Sequence, residues 1–427
     1  MQSTGALDRL TKKGFKIMSV IKKMDSWLTV PQPRLGGIGI FFMMIFSSFV
    51  TPFSLDMYTP ALPGMAVYFQ TDVAIVNLTL PSFYVFFALS QLYLGTLSDR
   101  LGRKKLFLIG AAIYTVGSLF CAISFNVAIL IIMRIVQALG AGSLGSISMA
   151  MIKDSFIEEK RETVLSIAQA IFAIAPVIAP VLGAFLIKCF SWRATFFAVF
   201  VFGIICFILG LLMKETLPKE HRIDGESVSI IKGIFGVLKD KGFTIYLFVA
   251  AIFSLPFMAY IAVASHIYVT FFGLSEIEYS YYFGAAMVIM AFAPLIMLLV
   301  LKKIKPKIFM HFLIIGAIVV GVLLLAFGTM APISFCLIFT IFIFLETCIR
   351  PFSTTYLLGQ QPDNAGTAAA LINTSHTVTG TVGMFVVVLP WANYVFGLGV
   401  ITVVFMVISG LLWIWLIKSK SGVKDLV

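Results

Sequence analysis

Four ionisable side chains sit inside long apolar runs: Asp56, Arg134, Glu346 and Arg350. A charge held away from water is costly, so residues of this kind mark functional sites by default. Asp56 lies in Thr51-Pro52-Phe53-Ser54-Leu55-Asp56-Met57-Tyr58-Thr59-Pro60-Ala61-Leu62-Pro63. Three prolines remove backbone donors and break a helix locally, and irregular backbone at membrane depth usually lines a cavity. A carboxylate in such a cavity could take and release a proton near neutral pH. The plainer alternative is that Asp56 caps a broken helix or pairs with an arginine. Arg134 opens Arg134-Ile135-Val136-Gln137-Ala138-Leu139-Gly140-Ala141-Gly142. An arginine stays charged at any depth. It could bind a carboxylate and release it when helices move, or form a fixed ion pair between helices. Either role makes a neutral replacement damaging. Glu346 and Arg350 stand four residues apart, hence on one helical face. An intrahelical pair nearly cancels their charge and makes burial cheaper; a role in a substrate cavity is the alternative. Pro351 follows and can kink the helix.

Other chemistry is sparse. His221, His266, His311 and His376 are scattered. His266 and His376 are the two placed to face a cavity, although a structural or interfacial role is the simpler expectation for each. The five cysteines form no C-x-x-C pair and lie in or beside apolar stretches, as small buried hydrophobes do. No Cys/His cluster has metal-ligand spacing, and no phosphate loop or nucleophile elbow is evident. The sequence therefore predicts no catalytic residue, no metal and no cofactor.

The elements that must position these residues follow from composition. The chain has 427 residues, 60% hydrophobic and 12% charged, with a mean hydropathy of +1.05. Soluble domains carry about twice that share of charge. A soluble enzyme, a disordered chain and a disulfide scaffold are excluded. Apolar runs occupy 37–64, 76–97, 106–124, 126–150, 163–188, 194–213, 243–271, 279–300, 308–328, 332–357, 367–391 and 393–417. Each is long enough to cross a ~30 Å hydrocarbon core as helix. Residues 1–36 form a basic arm, with Ile17, Ile21, Met24 and Leu28 on one helical face. This predicts a short amphipathic helix on the membrane surface, useful for binding anionic lipid or for holding topology. Residues 214–242 are polar and carry six Lys/Arg. They divide the spans into a first bundle over 37–213 and a second over 243–417, with a tail from 418 to 427.

The net charge of +12 would suggest nucleic acid in a soluble protein, but its placement is topological. If the N-terminus is cytoplasmic, inner segments hold 27 of the 31 Lys/Arg, and outer loops only Lys188 and Arg193. Both termini are predicted inside. A weak internal echo supports two related halves. Arg100, Arg103, Lys104 and Lys105 follow span 2, and Lys302, Lys303, Lys305 and Lys307 follow span 8.

The loop after span 2 reads Gly95-Thr96-Leu97-Ser98-Asp99-Arg100-Leu101-Gly102-Arg103-Lys104-Lys105. It resembles the signature of the major facilitator superfamily. The resemblance implies a twelve-helix, all-α membrane fold of two pseudo-symmetric six-helix bundles. It also implies that Gly95, Asp99, Arg100, Gly102 and Arg103 latch the halves in the outward-open state, Asp99 meeting the start of span 11 near Gly366-Thr367. Arg134-x-x-Gln137-Ala138-x-Gly140-Ala141 resembles the span-4 motif, whose arginine is linked to proton transfer. Ala175-Pro176-Val177-Ile178-Ala179-Pro180-Val181-Leu182-Gly183 resembles the span-5 motif of antiporters, with Ala184 where a second glycine is common. The finer resemblance is to drug:proton antiporters of the bicyclomycin/chloramphenicol-resistance (Bcr/CflA) branch. It is carried by Asp56-Met57-Tyr58-x-Pro60-Ala61-Leu62-Pro63, Gln91-Leu92-Tyr93-x-Gly95, Ser191-Trp192-Arg193-Ala194-Thr195-Phe196-Phe197 and Ala365-Gly366-Thr367-Ala368-Ala369-Ala370-Leu371.

The resemblance implies efflux of a small amphiphilic drug or metabolite in exchange for protons, in the cytoplasmic membrane of a bacterial-type cell, by a monomer. Asp56 would bind proton and substrate in competition, and Arg134 would tune it; Glu346 and Arg350 are no hallmark of the branch, and their place among the coupling residues rests on their position inside span 10 alone. Ala175, Pro176, Ala179, Pro180 and Gly183 would let helices pack closely. A proton-coupled or facilitative transporter dedicated to one metabolite or siderophore is the rival in the same fold; a membrane enzyme or sensor is the rival from another class. The partners expected are a small molecule, protons and lipid, and no nucleic acid.

Overall fold

The computed structural model describes residues 25–218, 220, 222, 235–301, 304–361 and 365–419. Most of the predicted arm, the middle of the 214–242 linker with His221, and the tail beyond 419 lie outside the described residues.

Each of the twelve apolar runs is helical. Span 1 is Gly36–Asp56 continued, after a break, by Leu62–Tyr68. Spans 2 to 6 are Thr79–Leu101, Arg103–Ala122, Val127–Ser155, Glu158–Cys189 and Trp192–Leu212. Span 7 comprises Lys241–Ala251, Ser254–Ser265 and a wider-turned segment, His266–Phe271. Spans 8 to 12 are Glu276–Leu301, Pro306–Phe327, Pro332–Gln360, Ala365–Val387 and Tyr394–Lys418.

Side chains set the ends of these helices. Asn126, Asp240 and Asn393 each accept a hydrogen bond from a first-turn amide, of Ile129, Phe243 and Phe396 respectively. Ser275 and Glu278 satisfy each other's backbone amides at the start of span 8. Pro306 and Pro332 occupy first-turn positions, where a missing N–H costs nothing. Large apolar side chains such as Leu299, Phe312, Ile315, Leu337, Leu411 and Trp415 lie exposed along the spans, a surface suited to lipid.

The two proline breaks have the same cause. Pro60 has no N–H to give the Asp56 carbonyl, and the Thr59 hydroxyl donates to that carbonyl instead, at 2.9 Å. Pro256 likewise has none for the Ile252 carbonyl, which accepts from the Leu255 amide at 3.1 Å in a tighter turn. The breaks therefore fall in spans 1 and 7, the corresponding members of the two halves.

Packing repeats with a six-span period. Span pairs 3–4, 2–4, 3–6, 1–5, 1–4 and 1–6 are in contact in the first half. Their counterparts 9–10, 8–10, 9–12, 7–11, 7–10 and 7–12 are in contact in the second. The halves meet through span 5 against span 8 and span 2 against span 11, again an equivalent pair. One departure from expectation concerns the arm. Leu28 is not helical: it pairs with Phe156, because Thr29 donates to the Ser155 carbonyl and Ile157 to that of Trp27, at 2.8 and 2.9 Å. Residues 27–29 thus strap the loop between spans 4 and 5.

Candidate functional site

Asp56 ends the first helix of span 1, directly before the break, and only 6% of it is exposed. Among the described residues no side chain hydrogen-bonds or ion-pairs with its carboxylate. Tyr84 of span 2 and Tyr279 of span 8 lie within electrostatic reach of it. Its backbone carbonyl accepts from Thr59, and among the described residues no backbone amide donates to its carboxylate, so the side chain does not cap the break.

Arg134 is fully buried but does not pair with Asp56. Its Nη1 donates to the Ser54 carbonyl at 2.8 Å and to Gln137 Oε1 at 2.6 Å. Its guanidinium lies 4.5 Å from the Tyr58 ring centroid and 4.4 Å from that of Phe83. Gln137 is oriented in turn by donating to Ser118 Oγ at 2.8 Å, and Ser54 Oγ shares a 2.6 Å hydrogen bond with Tyr114. Arg134 Nε and Nη2 have no hydrogen-bond partner. The arginine thus holds span 1 two residues ahead of Asp56 through the Ser54 carbonyl and the Tyr58 ring, and reaches span 2 through Phe83.

The second half holds the intrahelical pair expected from the sequence. Arg350 Nε donates to Glu346 Oε1 at 2.9 Å; the Glu346 side chain is 1% exposed and that of Arg350 is 44% exposed. Beside them, Ser254 Oγ at the break in span 7 bonds His376 Nδ1 of span 11 at 2.7 Å. His376 is one of two histidines that the sequence places toward a cavity, whereas Ser254 is not singled out there. The available sign for Ser254 was a polar residue beside a helix-breaking proline. Tyr84 lies within electrostatic reach of Arg350 as well as Asp56, so the two halves face one another across it.

The loop signature is folded around Arg103. Its guanidinium pairs with Asp99 at 2.5 Å and Asp154 at 2.8 Å, and donates to Ser98 Oγ at 2.6 Å. In this structure Asp99 is engaged inside its own half. Gly102 has φ +99°, a conformation that favours glycine, and its position is packed against Glu215 and Arg222. The Glu215 carboxylate accepts from the Arg103 and Lys104 amides at 2.9 and 3.2 Å, capping span 3 from the linker. Gly95 faces Ser146, and Arg100 is exposed.

The span-5 motif lies on the seam between halves. Ala175, Ala179, Pro180 and Gly183 are buried and Pro176 is half-buried. The Pro180 carbonyl accepts from Ser280 Oγ of span 8 at 3.0 Å. Gly183 lies so close to the Met57 carbonyl that no Cβ fits between them; Gly383 of span 11 meets the Leu255 carbonyl of span 7 in the same way. Two more contacts join the halves at this end. His266 Nε2 donates to Asn77 Oδ1 at 2.9 Å, and Thr59 and Tyr279 share a 3.1 Å hydrogen bond. All lie toward the end remote from the basic loops, so the halves are closed there. Among the described residues no group of His, Cys, Asp and Glu has the arrangement of a metal site.

The sequence model of the Major Facilitator Superfamily matches residues 44–384. The uncharacterized MFS-type transporter YdgK of Bacillus subtilis is 27% identical over 390 residues, covering 90% of this chain and 97% of that protein. A bicyclomycin resistance protein homolog of Haemophilus influenzae is 28% identical over 58% of this chain and 62% of its own length. The multidrug resistance protein MdtL of Escherichia coli O81 is 32% identical over 39% of this chain and 43% of its own. Among solved structures, a bacterial homolog of the human lysosomal transporter Spinster, inward-facing and unoccupied, aligns with a TM-score of 0.71 at 16% identity, covering 90% of this chain and 97% of that one. A D-xylose-proton symporter aligns at 0.67 and 13%, covering 87% and 96%.

Proposed function

The chain belongs to the major facilitator superfamily, and on that premise we propose that this multi-pass membrane transporter exports small amphiphilic compounds in exchange for protons. The observation that carries the proposal is Asp56, a buried carboxylate at a helix break with no side-chain partner of its own. A carboxylate in that state has two ways to become satisfied: it binds a proton, or it binds a donor or cation on a substrate. The two compete for one group, and competition is what antiport requires. Tyr84, within electrostatic reach of it and only partly buried, offers aromatic surface and a hydroxyl to an amphiphile. Arg134 fixes the position of the break through Ser54 and acts as a positioning residue. The similarity to a bicyclomycin resistance homolog and to MdtL supports a drug-like substrate.

Alternating access would proceed by rocking the halves about the 5–8 and 2–11 seams. The conformer described here, closed at the end remote from the basic loops, would open toward the cytoplasm if that basic end lies inside, as the distribution of Lys/Arg favours. The protein would then sit in the cytoplasmic membrane with both termini inside and work as a monomer. A second reading, a dedicated metabolite exporter, is favoured by Arg350: its partly exposed guanidinium could bind an anionic group that many drugs lack.

Inverted membrane vesicles with an acid interior and a pH-sensitive dye test the proposal. Addition of chloramphenicol and a small panel of amphiphiles to wild-type vesicles is expected to release protons. In Asp56→Asn vesicles that release should be lost. Release undiminished in the variant would remove Asp56 from coupling, and silence to every compound would remove the drug-export assignment.

A further inference from the structure

The exchange at Asp56 does not use the polar groups around Glu346. Glu346 Oε1 takes one hydrogen bond from Arg350, while Oε2, although buried, has no partner. The Ser254 hydroxyl lies within interaction reach of this carboxylate and is bonded to His376 Nδ1 at 2.7 Å. His376 is 4% exposed and its Nε2 has no partner. Three helices thus supply a carboxylate, a hydroxyl and an imidazole in series. The hydroxyl sits at the break that Pro256 creates.

We infer that His376, Ser254 and Glu346 form a proton relay in the second half, with His376 Nε2 as its intake and Glu346 as its terminus. A proton binds Nε2. The Nδ1–H bond then breaks as that proton passes to Ser254 Oγ, and the former hydroxyl proton passes to the free Glu346 oxygen. The imidazole ends neutral with its proton on Nε2, the serine ends as a hydroxyl, and Glu346 ends as a carboxylic acid. On discharge the same steps run in reverse: Glu346 returns its proton to Ser254 Oγ, the hydroxyl proton passes to His376 Nδ1, and Nε2 releases its proton, which restores the starting tautomer. Protonated Glu346 no longer neutralises Arg350, whose guanidinium is then free to turn toward the interior.

The groups facing Glu346 are few. Arg350 and Cys348 share its helix, His376 comes from span 11 and Ser254 from span 7. Span 8 meets this stretch through the Ala293 carbonyl, which accepts from Cys348 at 3.6 Å, and span 9 through Gly316 against Leu345. No second acid competes for the proton among these.

The inference rests on a proton-coupled reading of the transporter, yet it can be tested without transport. Infrared difference spectra of the purified full-length protein, recorded through a pH jump, report carboxyl protonation directly. A band lost in Glu346→Gln assigns the signal. In His376→Gln and Ser254→Ala, its appearance is expected to slow by on the order of 10²-fold, the lower end of what a positioned proton-transfer group contributes. Ser254→Thr, which keeps the hydroxyl, should restore the wild-type rate, and its elution profile controls for folding. Equal rates in wild type, Ser254→Ala and His376→Gln would overturn the relay, as would the absence of any band assignable to Glu346. Because no substrate is added, a silent vesicle assay would sink the export reading and leave this result standing.

Discussion

Arg134 shows how a membrane interior can hold a full charge without an acid beside it. Two aromatic faces contribute on the order of 2 kcal/mol each when water is excluded, and the Ser54 carbonyl and Gln137 add charge-assisted hydrogen bonds. Two donors are left unpaired at about 1–3 kcal/mol each. Glu346 and Arg350 solve the same problem by pairing. Arg350→Gln leaves the buried Glu346 charge alone, which typically costs about 3–5 kcal/mol, whereas Glu346→Gln leaves a half-exposed guanidinium that solvent screens, at a smaller cost. Glu346→Gln and Arg350→Gln should therefore each destabilise more than the double substitution, read as thermal unfolding in detergent; additive losses would show that the two are not coupled. The four intramembrane charges were visible as exceptions in apolar runs. The partners of Arg134 were not, since Ser54 and Phe83 lie far from it in sequence and only the fold brings them together. For the same reason the alternative of an Arg134 ion pair could not be decided from sequence, and the structure places no acid there.

At the scale of the helix, prolines wrote the breaks into the sequence. The cluster around Pro60 was legible, because each proline deletes a known hydrogen bond. The break at Pro256 follows the same rule but stands alone, without the density of prolines that marks span 1. The wide turn at His266–Phe271 has no local cause of that kind and reflects packing against the first half. Glycines then take up the carbonyls the breaks displace. Gly183 and Gly383 touch the Met57 and Leu255 carbonyls in corresponding places. Valine at either position must push the broken helix away, which overpacking studies put at about 1–3 kcal/mol. Both Gly183→Val and Gly383→Val are expected to lower the melting temperature and cut transport, while Gly64→Val, where nothing lies within contact range, should do neither. Equal tolerance at all three positions would deny these glycines a role.

For the molecule as a whole, the repeat in contacts means that one rigid-body motion can exchange two equivalent seams. Asn77, just before span 2, and His266 of span 7 join the two halves at the closed end. Cysteines at both positions, Asn77→Cys with His266→Cys, should cross-link under oxidation, stop transport and recover with reductant. Unchanged transport in the cross-linked protein would mean that this end need not open. The native cysteines also have a consequence. Cys121, Cys206, Cys336 and Cys348 are buried, whereas Cys189 is exposed at the end of span 5, beside the closed seam and not among the small buried hydrophobes expected from sequence. The wild-type chain therefore carries its own address label. A membrane-impermeant maleimide applied to intact cells reads which side of the bilayer this end faces, with no residue changed.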